Sequence, residues 1–176
     1  DESTSPSQLL TSTIADELKI ATRNKGLVYA IAPFRDAAIL GAGHAGNGAF
    51  WLNNNTGKWC STTYYNEYPW WLSQYNDRKS PDYRIKDMVW TPALPFTNYT
   101  FLPEWRNEPF KYKLDGERTN KFRRLITSPF INEEVNLLTE ELLNKRTNGQ
   151  EDVTDLLSLT YKAGKYNHRN TQECAM

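Results

Sequence analysis

The sequence predicts an α/β fold: a small, mostly parallel sheet with packed helices and one β-hairpin. Three observations carry this. An apolar pattern at helical spacing over residues 8–23 runs into a short apolar stretch at 27–32, the helix–strand alternation of a parallel α/β unit. The succession returns near the other end, where a helical pattern at 132–145 precedes a second apolar stretch at 153–161. Between them, Asn53-Asn54-Asn55-Thr56-Gly57 separates two short runs at 49–52 and 58–65. Residues of these types tolerate positive φ, so the cluster predicts a hairpin turn.

Ser5-Pro6-Ser7 offers cap and turn chemistry, and Leu9, Leu10, Ile14, Leu18 and Ala21 follow at helical spacing until Asn24-Lys25-Gly26 stops them. Residues 27–32 are apolar on both sides of the pleat, which suits a central strand covered by other layers, and Pro33 ends them. Residues 37–51 hold four glycines (Gly41, Gly43, Gly46 and Gly48) around His44 and open into Phe50-Trp51; they read as a compact loop. Trp70, Trp71 and Tyr75 place a short helix within 67–75. From 77 to 113, prolines and aromatics alternate with charges without a period. That segment reads either as a cap-like excursion over a cleft or as a long irregular surface stretch.

The pattern at 132–145 is the strongest helix, with Val135, Leu138, Leu142 and Leu143 as its apolar stripe. Glu133, Glu134, Glu140 and Glu141 fall on the wet side, and Lys145 and Arg146 suit the negative end of the helix dipole. Asn148-Gly149 closes it. The leucine stripes of 8–23 and 132–145 are expected to pack on the sheet.

At 176 residues the chain makes one domain or one folded segment. Its 21 basic and 21 acidic residues balance, and no basic stripe tracks a phosphate backbone, so a nucleic-acid polymer is a poor partner. No run of about 18 apolar residues exists to span a membrane. Cys60 and Cys174 form neither a metal spacing nor a disulfide framework. His44 sits in the glycine-rich run, which at first glance suggests a ligand or catalytic role. Asp16 and Glu17, adjacent on a helix, point in different directions and read as capping or surface charges rather than a carboxylate dyad. Trp70, Trp71 and Trp90 are candidates for a stacking face, with core and cap packing the simpler account.

Leu9–Leu18, Ala37–His44, Gly48–Trp51 and Thr62-Thr63-Tyr64-Tyr65, followed by Thr127-Ser128-Pro129-Phe130 and Asp155–Leu159, occur in an order that resembles the alkaline phosphatase superfamily. Within it they are most similar to the bacterial type I phosphodiesterase/nucleotide pyrophosphatase branch. The resemblance covers residues 5–75 and 125–170. It implies an alkaline-phosphatase-like segment of a metal-dependent phosphoric ester hydrolase, with zinc as cofactor, a phosphoester as substrate, and a periplasmic or exported location. The chain starts at Asp1 and ends at Met176, so it reads as an internal piece of a longer protein. The nucleophile and most metal ligands would then lie outside it. The piece is expected to be catalytically incomplete, to bind no zinc by itself, and to form a homo-oligomer through a sheet edge around 27–32.

The resemblance sets His44 with the loop motif rather than with the metal ligands, which makes it a structural, hydrogen-bonding histidine, and it singles out two further positions. Where the family carries Asp-Tyr-x-Gly-His, this chain has Lys165-Tyr166-Asn167-His168-Arg169. An ammonium cannot coordinate a cation, and His168, one residue short of its counterpart, is the remaining candidate metal ligand. Where the family carries Lys-Asp-Arg against the substrate phosphate, this chain has Phe34-Arg35-Asp36, leaving Arg35 as the candidate substrate-binding residue. An Asp facing a phosphate repels it, which points away from monoester recognition. The departures at Lys165 and Phe34 keep open an alternative: a non-catalytic relative that binds a glycan, nucleotide or protein.

Overall fold

The computed structural model describes residues 4–99, 108–115, 120–145 and 152–162. Its main sheet has four strands: β1 (Val28–Ala32), β2 (Gly48–Leu52), β3 (Trp59–Cys60) and β6 (Leu156–Leu159), in the order β3-β2-β1-β6. β1 pairs in parallel with β2 and with β6, and β3 runs antiparallel to β2 across the asparagine-rich turn. The expected α/β class, parallel sheet and hairpin are all present. Two strands are shorter than their sequence runs, β3 ending at Cys60 and β6 spanning four residues.

The segment between β1 and β2 corrects the loop reading of residues 37–51. Its first part is the helix α2 (Arg35–Ala42), so β1-α2-β2 is a βαβ unit. Alanines and Ile39 support the helix, and Gly43 ends it at φ 64°. The small residues serve packing. A Cβ on Gly41 would stand 2.7 Å from the Ser158 hydroxyl and 3.1 Å from the Ala30 Cβ, so glycine lets α2 lie close on the sheet.

Strand alternation then sorts the core into two layers. On one face Ala30, Ala32, Ala49 and Trp51 meet Ala38, Ile39 and Ala42 of α2. On the other, Ile31, Phe50 and Leu52 meet a larger cluster drawn from α3 (Trp70–Lys79), α4 (Lys121–Thr127) and α5 (Phe130–Lys145). Leu72, Leu125, Ile131, Val135 and Leu138 are all fully buried there. Each such side chain contributes roughly 1.5–3 kcal/mol by leaving water. The stripe foreseen at Val135, Leu138 and Leu142 therefore faces the sheet, while Leu143 is exposed. Glu134 departs from the expected wet side: it is buried, with its carboxylate held by the guanidinium of Arg84 through Nε at 3.0 Å and a second nitrogen.

Residues 8–23 do not form one helix. A 3-10 turn spans Pro6–Gln8, and α1 (Ile14–Ala21) begins only at the capping box of Thr13 and Asp16. The leucine stripe does not reach the sheet either: Leu10, Ile14 and Ile20 are 99%, 79% and 70% exposed, whereas Ala15, Asp16 and Lys19 are buried. α1 packs beside α2, and the cap at Thr13 overrides the apolar period.

Between residues 77 and 113, two 3-10 turns (Pro81–Tyr83 and Ile85–Asp87) lead into β4 (Val89–Trp90), which pairs antiparallel with β5 (Tyr112–Lys113). Trp90, Phe110 and Tyr112 cluster on this ribbon at centroid distances of 5.4–6.1 Å, with only Phe110 and Tyr112 stacked. Trp71 is edge-on to Phe50 at 5.4 Å, and both Trp71 and Trp90 pack against the larger core cluster, whereas Trp70 is exposed.

Candidate functional site

β1, β2 and β6 are parallel, so their carboxyl ends, Ala32, Leu52 and Leu159, lie at the same end of the sheet. In open α/β sheets the chain leaves successive strands in different directions at that end, which opens a crevice. Here a cleft of about 280 Å³ is lined by Pro33 to Asp36 after β1, by Trp51 to Asn54 at the end of β2, and by Ile126 of α4. Asn53 holds its turn in shape by accepting from the backbone N–H of Asn55 and Thr56 at 2.9 and 3.0 Å.

Arg35, the candidate substrate contact, stands at this cleft in the first turn of α2. Its Nε lies 3.2 Å from Asp36 Oδ1, and both side chains reach solvent. Phe34, 43% exposed, is the neighbouring wall. The Lys162 Nζ lies 4.9 Å from the centre of its ring. Lys162 is delivered there by a backbone clamp: Asn132 of α5 accepts from its N–H and donates to its carbonyl, each at 2.8 Å. The cleft thus brings one guanidinium, one carboxylate and the rings of Phe34 and Trp51 together, with Lys162 over the Phe34 ring beside it. Sequence reasoning did not find Lys162. A basic residue just past an expected parallel strand was the available signal, but only the structure brings it over a residue 128 positions earlier.

Among the described residues no group of three His, Cys, Asp or Glu side chains stands ready to hold a metal, and the cleft lining includes no serine, threonine, cysteine or histidine. His168, the candidate ligand, lies outside the described residues, as do Lys165 and Cys174.

His44 is at the opposite end of α2, beside a wider cavity of about 650 Å³ bordered by Leu9, Leu10, Ile20 and Arg23. Its polar groups are committed to the fold. Asp16 Oδ1 accepts from the backbone N–H of His44 and Ala45 at 2.7 and 2.8 Å. Oδ2 accepts from the Thr13 N–H and hydroxyl and faces His44 Nδ1 at 3.1 Å. Burial alone would raise the Asp16 pKa, but these hydrogen bonds outweigh it and bring it down to about 2. His44 Nε2 faces the Leu9 carbonyl at 3.2 Å. Both ring nitrogens therefore face acceptors, which suits the imidazolium, and the bond to Asp16 raises the His44 pKa. These bonds fit the structural, hydrogen-bonding histidine that the resemblance implied.

The fold is that of an α/β protein with a mostly parallel sheet, and the comparisons with known proteins make it alkaline-phosphatase-like. The chain is 30% identical over 176 residues to alkaline phosphatase PafA of Elizabethkingia meningoseptica, covering 92% of this chain and 32% of that protein. It is 31% identical over 122 residues to alkaline phosphatase PhoV of Synechococcus elongatus, covering 69% of this chain and 22% of PhoV. A Myroides odoratus protein named calcium-transporting ATPase is 37% identical over 121 residues, 68% of this chain and 22% of its own length. The crystal structure of wild-type PafA superposes with a TM-score of 0.70 at 27% identity, covering 88% of this chain and 32% of PafA; a quadruple mutant gives 0.71 at 28%. No family model matches the chain. The chain spans a third or less of the length of these relatives. The similarities make it a homologue of alkaline phosphatases and support the superfamily placement, without selecting the phosphodiesterase/nucleotide pyrophosphatase branch.

Proposed function

We propose that the chain is part of a phosphoric ester hydrolase of the alkaline phosphatase superfamily and contributes substrate recognition rather than a complete catalytic centre. The observation that carries this reading is Arg35 beside Phe34 in a cleft at the carboxyl ends of the parallel strands, in a chain homologous to PafA and PhoV. In this role Arg35 contacts the phosphoryl oxygens. Asp36 disfavours a doubly charged monoester more than a singly charged diester, which is the reason to propose a phosphodiesterase or nucleotide pyrophosphatase type. Zinc belongs to the proposal through the family resemblance alone. The described residues do not assemble a donor set for it, and His168 is the ligand candidate that the resemblance names. Export to the periplasm is proposed on the same resemblance, and no described helix is long and apolar enough to cross a membrane. Residues 77–113 are proposed as a cap-like excursion.

A non-catalytic, ligand-binding relative is the second reading, favoured by the aromatic and acidic neighbours of Arg35 where phosphate recognition calls for positive charge. A chimera decides between them. This chain replaces the segment of PafA that it matches, and hydrolysis of an aryl phosphomonoester and an aryl phosphodiester is compared with PafA itself. Retained diesterase activity with depressed monoesterase activity is expected. A folded chimera that hydrolyses neither favours the binding relative.

A further inference from the structure

We propose that residues 9–12 are a proton-controlled strap beside α1, latched by the imidazolium of His44 and released when that ring becomes neutral. The inference stands apart from the phosphoester reading and concerns the end of α2 opposite the cleft. Three observations carry it. First, the His44 ring bridges two segments: Nδ1 lies 3.1 Å from Asp16 Oδ2 of α1, and Nε2 lies 3.2 Å from the Leu9 carbonyl. Both partners are acceptors, so both contacts are hydrogen bonds only while the ring carries two protons. A neutral imidazole keeps one. The bond to a carboxylate is the stronger, so that proton stays on Nδ1, and the Nε2 lone pair then faces the lone pairs of the Leu9 carbonyl.

Second, the strap is fixed at its ends and little between them. On one side the Leu9 N–H closes a turn on the Pro6 carbonyl at 2.8 Å, and Thr62 donates its hydroxyl to the Thr4 carbonyl at 2.5 Å. On the other, Thr13 and Asp16 form the capping box of α1. Leu10, Thr11 and Ser12 make no hydrogen bond among the described residues. Third, Leu9 to Ser12 border the cavity of about 650 Å³ together with Ile20, Arg23 and His44 itself, so a strap freed from the ring reshapes that hollow. The charges around the ring come from several elements. Asp16 of α1 meets it, while Lys19 and Arg23 border the same cavity. Tyr65, after β3, donates its hydroxyl to the Gly43 carbonyl, and burial keeps it protonated. Residues 9–12 hold no charged side chain, and α2 carries Arg35 and Asp36 in its first turn, at its far end. Asp16 therefore favours the charged ring, and its bond raises the His44 pKa from 6.5. The latch is closed below that value and opens as pH rises through the higher folded one.

The test is an NMR titration of the intact chain between about pH 5 and about pH 9, with His44→Gln alongside. Ring nitrogen shifts report which nitrogen of His44 keeps the proton, and the variant separates its signals from those of His168, the other histidine. Backbone nitrogen relaxation reports motion at Leu10, Thr11 and Ser12. The ring is expected to titrate with a midpoint above 6.5 and to keep its last proton on Nδ1. With the same midpoint, the order parameters of Leu10, Thr11 and Ser12 should fall from roughly 0.85 to below about 0.6, while those of α1 stay unchanged. His44→Gln, which carries no titrating ring, should show no such transition. A neutral ring protonated on Nε2 retains the Leu9 bond and overturns the latch. A ring that titrates while residues 10–12 relax alike at both ends of the range overturns it equally. If the variant does not fold, sequential assignment identifies the ring, and the unaltered chain still decides.

Discussion

Asp16 uses both carboxylate oxygens to join the start of α1 to the loop after α2. This one side chain explains what the glycine-rich run does for the fold. Gly43 lies against it: a Cβ there would stand 2.2 Å from Thr13 Oγ1 and 2.8 Å from both Asp16 oxygens, at a positive φ. Tyr65 closes the arrangement by donating its hydroxyl to the Gly43 carbonyl at 2.6 Å. Gly43→Ala is therefore expected to destabilise the chain by more than about 1 kcal/mol in urea unfolding, because strain and clash act together. Asp16→Asn loses charged acceptors and is expected to cost about 2 kcal/mol. The pH dependence follows from the same group. Its folded pKa is depressed, so its contribution is present above the unfolded value near 3.8 and disappears as pH falls through about 2. His44 has the opposite sign. Its folded pKa is raised, so its contribution is complete below about 6.5 and is lost as pH rises through the higher folded value. Unfolding midpoints across pH 2–9 should show both limbs, and His44→Gln should remove only the alkaline one.

Asparagine clamps and one buried ion pair hold the elements together. Asn76 of α3 accepts from the Trp59 N–H at 2.8 Å and donates to the Trp59 carbonyl at 2.9 Å, so a side-chain amide covers the edge of β3 as a further strand would. Its amide also donates to Tyr68, whose hydroxyl donates to the same carbonyl at 2.8 Å. Asn76→Ala should leave the buried Trp59 N–H unpaired, while Tyr68 keeps its bond to the carbonyl, and cost about 2 kcal/mol in thermal or urea unfolding. The Arg84–Glu134 pair ties the turns after α3 to α5, and Lys79–Glu141 at 2.8 Å adds an exposed link along the same helix. Burial outweighs the guanidinium and raises the Glu134 pKa. Arg84→Ala strands that carboxylate and is expected to cost about 3 kcal/mol, the lower end for a broken buried pair because Arg84 is partly exposed. Replacing both partners with apolar residues should cost less than Arg84→Ala alone. If the double variant is the less stable of the two, the pair stabilises the fold beyond what stranded charge explains.

For the molecule as a whole, the sheet order relocates the expected open edge. β1 has β2 on one side and β6 on the other and is buried within a single chain, so residues 27–32 are not the surface where copies would meet. Among the described residues the unpaired edge belongs to β6, which is half-buried along its length. Self-association, if driven by an open ladder, is proposed to run through β6. Light scattering over a concentration series should show a mass that rises with concentration, and hydrogen exchange should show added protection at 156–159 at high concentration. A constant monomer mass would show that this edge is already covered.

Periodicity and residue type alone determined the α/β class, the buried strand at 27–32, the hairpin turn and the apolar face of 132–145, whereas the helix between β1 and β2 was read as a loop. Each is a local pattern whose burial follows from spacing, and spacing is written in the sequence. Arg35 was nominated by the family resemblance alone, and the structure places it at the cleft. What only the tertiary structure decided are the relations between distant residues. Lys162 over Phe34, Arg84 on Glu134 and Asp16 under His44 join positions 128, 50 and 28 apart. No period links such positions, because chain connectivity leaves the partner of a buried charge or an exposed ring free until the helices dock. The same reason explains the two errors in this region: α1 starts where Thr13 and Asp16 cap it rather than where leucines begin, and Glu134 is inward because a guanidinium from another element makes its burial tolerable.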